Sequence, residues 1–335
     1  MQYAILTFIL FAIMLLYFKV ANKYNIIDKP NHRSAHTEIT LRGGGIIFWF
    51  ASLLYFLNNI QENYLFFLGI TIMSLVSFWD DIQSLPNKIR LVAHFLAITL
   101  AFYCLNLFAI LPFYGILMSY IIFIGIINAY NFMDGINGIT GLYTLTVLSS
   151  LLYVNQCITN FIDSDFIWYP IIASLVFLFF NFRKKAKCFA GDVGSIAIAF
   201  WIVFLILKLV IETRSLVWLL FLAVYGVDTV CTILHRLYLK ENIFVAHRHH
   251  FYQILSNDLK IQHRIIAVFY AILQVLASCV TICFYRKIEV VVIYILILLP
   301  LIIIYLSKFY LIKKWINQLL SKAVFLKMTE ALFRL

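Results

Sequence analysis

Charged residues are scarce in this 335-residue chain: Asp, Glu, Lys and Arg make up 12% of it, against roughly 25% in soluble domains. So few charges cannot cover a chain of this length with a water-facing surface, which excludes an ordinary soluble fold. Proline (5) and glycine (12) are also few, and no Pro/Gly/Ser-rich linker or low-complexity tract divides the chain. The six cysteines (Cys104, Cys157, Cys188, Cys231, Cys279 and Cys283) form no CxxC pair and lie mostly in or beside apolar runs. That excludes a disulfide framework or a zinc site and leaves packing as their use. A cleavable leader is not expected either. Residues 3–20 have no basic segment before them and end at Lys19 and Lys23, so this run reads as a retained helix.

Apolar residues are abundant, at 64% of the chain with a mean hydropathy of +0.96. They fall largely in runs of about 17–22 residues, the length that spans a bilayer. The expected fold is an all-α integral membrane protein, a bundle of about 10–11 transmembrane helices. The runs fall at residues 3–20, 44–59, 63–79, 91–107, 110–127, 139–157, 166–182, 192–210, 214–235, 264–285 and 288–307. Residues 1–310 form one multi-spanning domain, and 311–335 a basic cytoplasmic tail.

The net charge of +11 has a topological cause rather than a nucleic-acid partner. With residues 19–43 placed in the cytoplasm and the connections alternating, 22 of the 26 Lys and Arg residues fall on the cytoplasmic side. Only Lys208, Arg214, Arg286 and Lys287 fall outside. This predicts the N-terminus outside and the C-terminus inside. Five acids (Glu62, Asp163, Asp165, Glu212 and Glu289) are then external and belong to no motif, while every chemically suggestive cluster is cytoplasmic.

The first cluster is Asp80-Asp81, with Lys88 and Arg90 downstream. Adjacent carboxylates at a membrane boundary repel each other unless a cation, metal or proton compensates. Helix capping accounts for one of them but not for the pair. The second is Asn128-Ala-Tyr-Asn131-Phe-Met-Asp134-Gly135-Ile-Asn137-Gly138. Asn128, Asn131 and Asp134 are three apart and share one side of a helix end. Their oxygens suit Mg²⁺, and the alternative is a polar turn with an Asn cap. The third, Phe189-Ala-Gly191-Asp192-Val-Gly194-Ser195, opens a helix. Asp192 is a ligand there or the helix's own N-cap.

The fourth cluster, Ala246-His247-Arg248-His249-His250-Phe251-Tyr252-Gln253, lacks zinc-ligand spacing. It suits phosphate contact, with plain loop histidines as the alternative. Asp228, near Arg236, is a boundary acid and reads as functional or paired. Asn31-His32-Arg33-Ser34-Ala35-His36 and Leu41-Arg42-Gly43-Gly44-Gly45 lie in the first loop. That glycine triplet either cradles a phosphate or packs helices.

In this order and spacing the four clusters resemble the polyprenyl-phosphate N-acetylhexosamine-1-phosphate transferases, over about residues 28–265. That family includes the lipid I translocase, and the His-Arg-rich form looks most like members that initiate O-antigen or capsule units. The resemblance implies Mg²⁺ (Mn²⁺ as a substitute), a UDP-N-acetylhexosamine donor and an undecaprenyl phosphate acceptor, with UMP released. It implies a multi-pass bacterial inner-membrane enzyme among membrane lipids, with a homodimer as one arrangement. By resemblance Asn131 and Asp192 ligate the metal, and Asp80 and Asp81 handle the lipid phosphate or the metal. Asp134 belongs to the catalytic set, with Lys88 and Asn128 beside the substrates. Gly135, Asn137 and Phe189 match positions around the uracil, and Arg248, His249 and His250 match a diphosphate-contacting loop. The rival class is a transporter of lipid-linked sugars, which favours sites near the bilayer midplane. A purely structural membrane protein would not need these acids on one side.

Overall fold

A computed structural model describes residues 1–28, 39–60, 63–243, 245 and 247–332, with side chains described through residue 313. The Asn31-to-His36 stretch, Glu62 and Ala246 lie outside the described residues, as do the side chains of the basic tail from residue 314.

Among the described residues, and with one-turn segments at Leu107–Ile110 and Phe251–Gln253 between them, eleven helices of twelve residues or more follow one another where eleven apolar runs predict them. They are α1 (Gln2–Lys23), α2 (Ile47–Asn58), α3 (Tyr64–Ile82), α4 (Asn87–Cys104), α5 (Phe113–Met133) and α6 (Ile139–Cys157). The rest are α7 (Asp165–Asn181), α8 (Gly191–Thr213), α9 (Ala223–Tyr238), α10 (His263–Phe284) and α11 (Val290–Leu332). A 3₁₀ turn, Gly44–Ile46, leads into α2 and another, Leu216–Leu222, into α9. The sheet is a two-stranded antiparallel scrap, β1 (Ile27–Asp28) on β2 (Thr40–Leu41), with Ile27 opposite Leu41.

The chain is thus an all-α integral membrane protein. Among the described residues, seven spans are long and apolar enough to cross a membrane: α1, α3, α5, α8, the Leu216–Tyr238 unit, α10 and the Val290–Lys313 part of α11. The Gly44–Asn58 and Asp165–Asn181 segments are shorter apolar helices. The remaining two, α4 and α6, are diluted by polar residues. In α6, Thr140, Thr144 and Asn155 are buried against neighbouring helices, and the Tyr143 hydroxyl donates to Gln274 Oε1 of α10 at 2.7 Å. Polar groups such as this one find partners inside the bundle, as an apolar surround requires.

Helix α8 forms the axis. Its side chains from Val193 to Ile206 are all buried, and a helix apolar on every face belongs in the interior. It packs on α3, α5, α6 and α2, and Trp201 Nε1–H donates to the Phe166 carbonyl at 3.1 Å.

The two ends of the bundle differ. At one, the Tyr3 hydroxyl donates to Asp165 at 2.6 Å and that of Tyr55 to Asp163 at 3.1 Å. At the other, the Tyr17 hydroxyl donates to the Arg42 carbonyl at 2.5 Å. The chain start and two of the motif-free acids therefore share the end opposite the motifs.

Three boundaries depart from the expected ones, and each matters to the site. Helix α3 runs on to Ile82, so Asp80 and Asp81 belong to its last turn. Helix α5 runs on to Met133, so Asn128 and Asn131 are helical rather than in a loop, while α4 starts at Asn87. Polar residues at the end of an apolar run read as loop, but these turns are held by buried neighbours. Helix α11 also continues without a break past residue 310.

Candidate active site

The site begins where the last turn of α3 meets the first turn of α8. A helix start leaves several backbone N–H groups without intrahelical partners. Here a carboxylate from another helix takes two of them: Asp192 N–H donates to Asp81 Oδ1 at 2.9 Å and Val193 N–H to Asp81 Oδ2 at 3.0 Å. The negative charge also complements the positive end of the α8 dipole. Asp192 is therefore not its own helix's cap. Ala190 holds the N-cap position with no side-chain bond, so the Asp192 carboxylate is available for other work. The approach is close because Gly191 adopts φ +71°, and a Cβ there would stand 2.5 Å from Asp81 Oδ2.

Two arginines complete this junction. Arg42 Nε lies 2.7 Å from Asp81 Oδ1, and one of its terminal nitrogens lies 3.4 Å from Asp192 Oδ1. Arg90, in the first turns of α4, reaches Asp80 Oδ2 at 3.2 Å and Asp192 Oδ2 at 3.6 Å. Each oxygen of Asp192 thus faces a different guanidinium. Asp80 also accepts from the Leu85 N–H at 2.6 Å, fastening the turn after α3. Three carboxylates meet two guanidinium groups, so the junction keeps a formal surplus of one negative charge.

Arg42 is delivered by β2. Leu41 bridges to Cys188, Phe189 N–H donates to the Leu41 carbonyl at 2.8 Å, and Gly44 N–H donates to the Phe189 carbonyl at 2.8 Å. The glycine triplet is a packing device: Gly45 and Gly194 touch backbone to backbone, and a Cβ on either would collide with the other.

On the other side of α8, the Ser195 hydroxyl donates to Asn131 Oδ1 at 3.0 Å, tying the last turn of α5 to the first of α8. Asn128, one turn back, donates to its own helix at the Ile124 carbonyl (2.9 Å). Asp134 accepts from the Thr140 hydroxyl at 2.6 Å, and burial pushes its carboxyl up to about 7. Asn137 donates to the Arg183 carbonyl at 3.0 Å, and its own amide oxygen is buried without a donor. Gly138 N–H donates to Asn181 Oδ1 at 2.6 Å. Lys88 is exposed on α4, apart from the ion pairs that build the junction.

The histidine loop packs on this region through Tyr252, whose hydroxyl donates to the Phe132 carbonyl at 2.8 Å. A side chain at Gly135 would overlap that phenol. The three predicted phosphate contacts sit differently from one another. His250 turns inward, its Nδ1 at 3.1 Å from Asp228 Oδ1, leaving a buried Nε2 without a partner. His249 Nε2 lies 3.2 Å from Glu241. Arg248 is exposed, near Asp258. Asp228 does not pair with Arg236: it also accepts from the Phe251 N–H (3.1 Å) and the Tyr270 hydroxyl (2.5 Å). Arg236 instead holds Glu241 and the carbonyls of Asn242, Ile243 and Val245, fixing the loop's path. Burial lowers His247 to about 3, so its imidazole stays neutral.

Sequence reasoning missed Arg42, Ser195 and Thr140 as members of the site. Arg42 was hidden beside the glycine triplet, and its one signal was a lone cation at the start of a helix. Among the described residues no three His, Cys, Asp or Glu side chains converge as a self-sufficient metal site. The donor chemistry still fits a hard cation. Asp192 offers carboxylate oxygens and Asn131 an amide oxygen, with the Ser195 hydroxyl reaching Asn131 Oδ1 at 3.0 Å and the backbone carbonyl of Asp192 at 3.4 Å, and Mg²⁺ typically takes one or two carboxylates plus substrate phosphate oxygens.

An all-helical membrane enzyme with an acid–arginine junction at one bundle end is the class these features define. Residues 63–210 match glycosyl transferase family 4, a stretch that contains Asp80, Asp81, Asn131, Asp134 and Asp192. The chain is 26% identical over 259 residues to a probable undecaprenyl-phosphate N-acetylglucosaminyl 1-phosphate transferase of Bacillus subtilis, covering 69% of this chain and 71% of the relative. It is 27% identical over 253 residues to the phospho-N-acetylmuramoyl-pentapeptide-transferase of Thermotoga neapolitana, covering 70% and 81%. Against the undecaprenyl-phosphate alpha-N-acetylglucosaminyl 1-phosphate transferase of Escherichia coli K12 it is 25% identical over 285 residues, 75% of each chain. The match to glycosyl transferase family 4 takes in less than half of the chain, and with these relatives it supports a phosphotransferase similar to them.

Proposed function

We propose that this protein transfers an N-acetylhexosamine 1-phosphate from a UDP-sugar to undecaprenyl phosphate at the cytoplasmic face of the inner membrane, the first step of an envelope glycan. The observation that carries the reading is the junction of Asp80, Asp81 and Asp192 with Arg42 and Arg90, one residue shell from Asn131, all at one bundle end. The 22-to-4 distribution of basic residues supports a cytoplasmic position for that end. A transporter would hold its substrate near the midplane, whereas these acids gather at helix ends.

The acceptor is a phosphate monoester and supplies its own nucleophilic oxygen. That oxygen forms a bond to the β-phosphorus of the donor, the bond from β-phosphorus to the bridging oxygen breaks, and UMP leaves with the electron pair. Both reactants are anionic, so positioning and charge neutralisation dominate the barrier. Mg²⁺, held by Asp192 and Asn131, would supply part of that neutralisation when bound. Ser195 fixes the rotamer of Asn131, and Asp80 orients the acceptor. The buried, undonated Asn137 amide oxygen and Gly135 line the loop that would take the uracil, and Phe189, whose backbone pairs with Leu41 and Gly44, is the third residue of that reading. Arg248 is the loop cation that reaches outward for the donor diphosphate. His250, seated on Asp228, shapes that loop from beneath.

Donor carrying ³²P in the β-phosphate tests the reaction. Label is expected in a lipid diphosphate product, with unlabelled UMP released. Label recovered as soluble UDP, with a lipid monophosphate sugar formed, would overturn the assignment.

A further inference from the structure

The junction arginines have a second edge. Arg42 and Arg90 press one edge against the three acids, yet their side chains remain 33% and 28% exposed. A guanidinium carries five donors in a planar fork, so each keeps N–H groups that the acids do not consume. The two forks face the same carboxylate, Asp192, from opposite oxygens. They thus stand on either side of Asp192, placed so that an anion with several oxygens could engage both.

The surroundings say which anion. Arg90 stands in the first turn of α4, and the residues after it, Leu91, Val92, Phe95 and Leu96, are exposed and apolar. Leu75, Trp79 and Ile82 of α3 are exposed and apolar too, and α3 packs on α4. An apolar wall therefore descends from the arginines into the hydrocarbon region. The histidine loop, where the donor would lie, is built instead on Phe132 and Asp228.

We propose that Arg42 and Arg90 form the receptor for the phosphate of a membrane-embedded prenyl phosphate, whose chain lies along the α3–α4 wall. This rests on the proposed function and assigns its acceptor subsite. As the phosphate arrives, the arginines exchange part of their ion pairing with Asp80 and Asp192 for phosphate oxygens, freeing Asp192 for a cation. Bidentate guanidinium geometry suits a phosphate, whereas Lys88 stands exposed outside the junction.

The test uses the full-length chain in detergent, with Arg90→Gln and Arg42→Lys as variants. Arg42→Lys keeps the positive charge beside Asp81, so that carboxylate is not left bare. Binding of farnesyl phosphate is measured by thermal shift without donor, alongside farnesol, inorganic phosphate and UMP, and KM is measured for both substrates. Farnesyl phosphate is expected to stabilise the wild type, whereas farnesol and inorganic phosphate at equal concentration do not. Each variant should weaken that response and raise the acceptor KM about tenfold, one charged hydrogen bond's worth. The UMP response and donor KM should stay within about twofold. Unchanged acceptor binding in both folded variants, a rise confined to donor KM, or equal stabilisation by inorganic phosphate would overturn the proposal. Arginine-dependent farnesyl phosphate binding without transfer from any UDP-sugar would instead refute the proposed function and leave this subsite standing.

Discussion

Asp80 and Asp81 are neighbours in sequence with different work, and replacing each by asparagine separates the two roles. The Asp81 carboxylate has no exposed surface and holds three donors: the Asp192 and Val193 N–H groups and Arg42 Nε at 2.7 Å. Asparagine keeps one acceptor oxygen but no charge, leaving at least one helix-start N–H without an acceptor and Arg42 with Asp192, at 3.4 Å, as its remaining anion. Breaking a buried pair from one side costs about 3–5 kcal/mol. At about 2 °C per kcal/mol for a large domain, Asp81→Asn should lower the Tm by about 6–10 °C. Asp80→Asn keeps an oxygen for the Leu85 N–H, and Arg90 retains Asp192. Its cost should be about 1–2 kcal/mol, with turnover lost by about a hundredfold or more. Thermal unfolding of detergent-purified protein in a chelator, paired with the labelled-donor assay, reads both effects. An Asp81→Asn variant with wild-type Tm would show that the carboxylate does not fasten α8, and the division of labour would fall.

Asp134 titrates from about 7 when folded to 3.8 when unfolded. Its contribution is full below about pH 4 and lost as pH rises through 7. In chelator, the wild-type Tm should fall between pH 5 and 8 by an amount equivalent to at most about 3 kcal/mol, and Asp134→Asn should flatten that fall; equal slopes would discard the idea. Gly194→Ala should destabilise by about 1–3 kcal/mol, because the new Cβ meets Gly45; an unchanged Tm would mean that α2 and α8 can separate there freely. Asp228→Asn should raise protease cleavage within 239–262, since His250, Phe251 and Tyr270 all converge on that carboxylate; unchanged cleavage would place the loop's anchor elsewhere. Asp192→Asn should fold normally and require more Mg²⁺ for activity, whereas full activity at ordinary Mg²⁺ would remove it from the metal set.

The bundle was legible because hydrocarbon imposes one rule on every span: an apolar run of fixed length with internally satisfied backbone. Seven described spans follow from that rule outright, and the shorter or more polar helices fall at the remaining apolar runs. The helix ends do not follow from it, because polar residues at a boundary read equally as loop or as a buried last turn. Asn128 bonds back to its own turn at Ile124, and Asn131 accepts from Ser195 of α8, the second being a tertiary fact invisible to a window along α5. For the same reason the Asp192 cap reading failed. Sequence shows that an acid stands near a helix start, but only packing shows that Asp81, 111 residues away, already occupies the N–H groups.

The site residues that sequence found and those it missed differ in how much they depend on neighbours along the chain. Asp80-Asp81, Asn131-x-x-Asp134 and Gly191-Asp192 are dense local clusters of costly groups at a membrane boundary, and the order of residues alone shows that such a cost needs a compensating partner. Arg42 carries no such local cost: a single cation in a cytoplasmic loop satisfies the topological rule and needs no partner. Its meaning comes from β2, which docks the first loop beside Cys188 and Phe189 and so carries the guanidinium to Asp81 and Asp192. The same topogenic rule that orients the chain thus conceals a basic residue of that loop that enters the junction. A loop cation whose backbone is pinned by strand pairing differs from one that only marks a face, and here the pinned one stands among the acids.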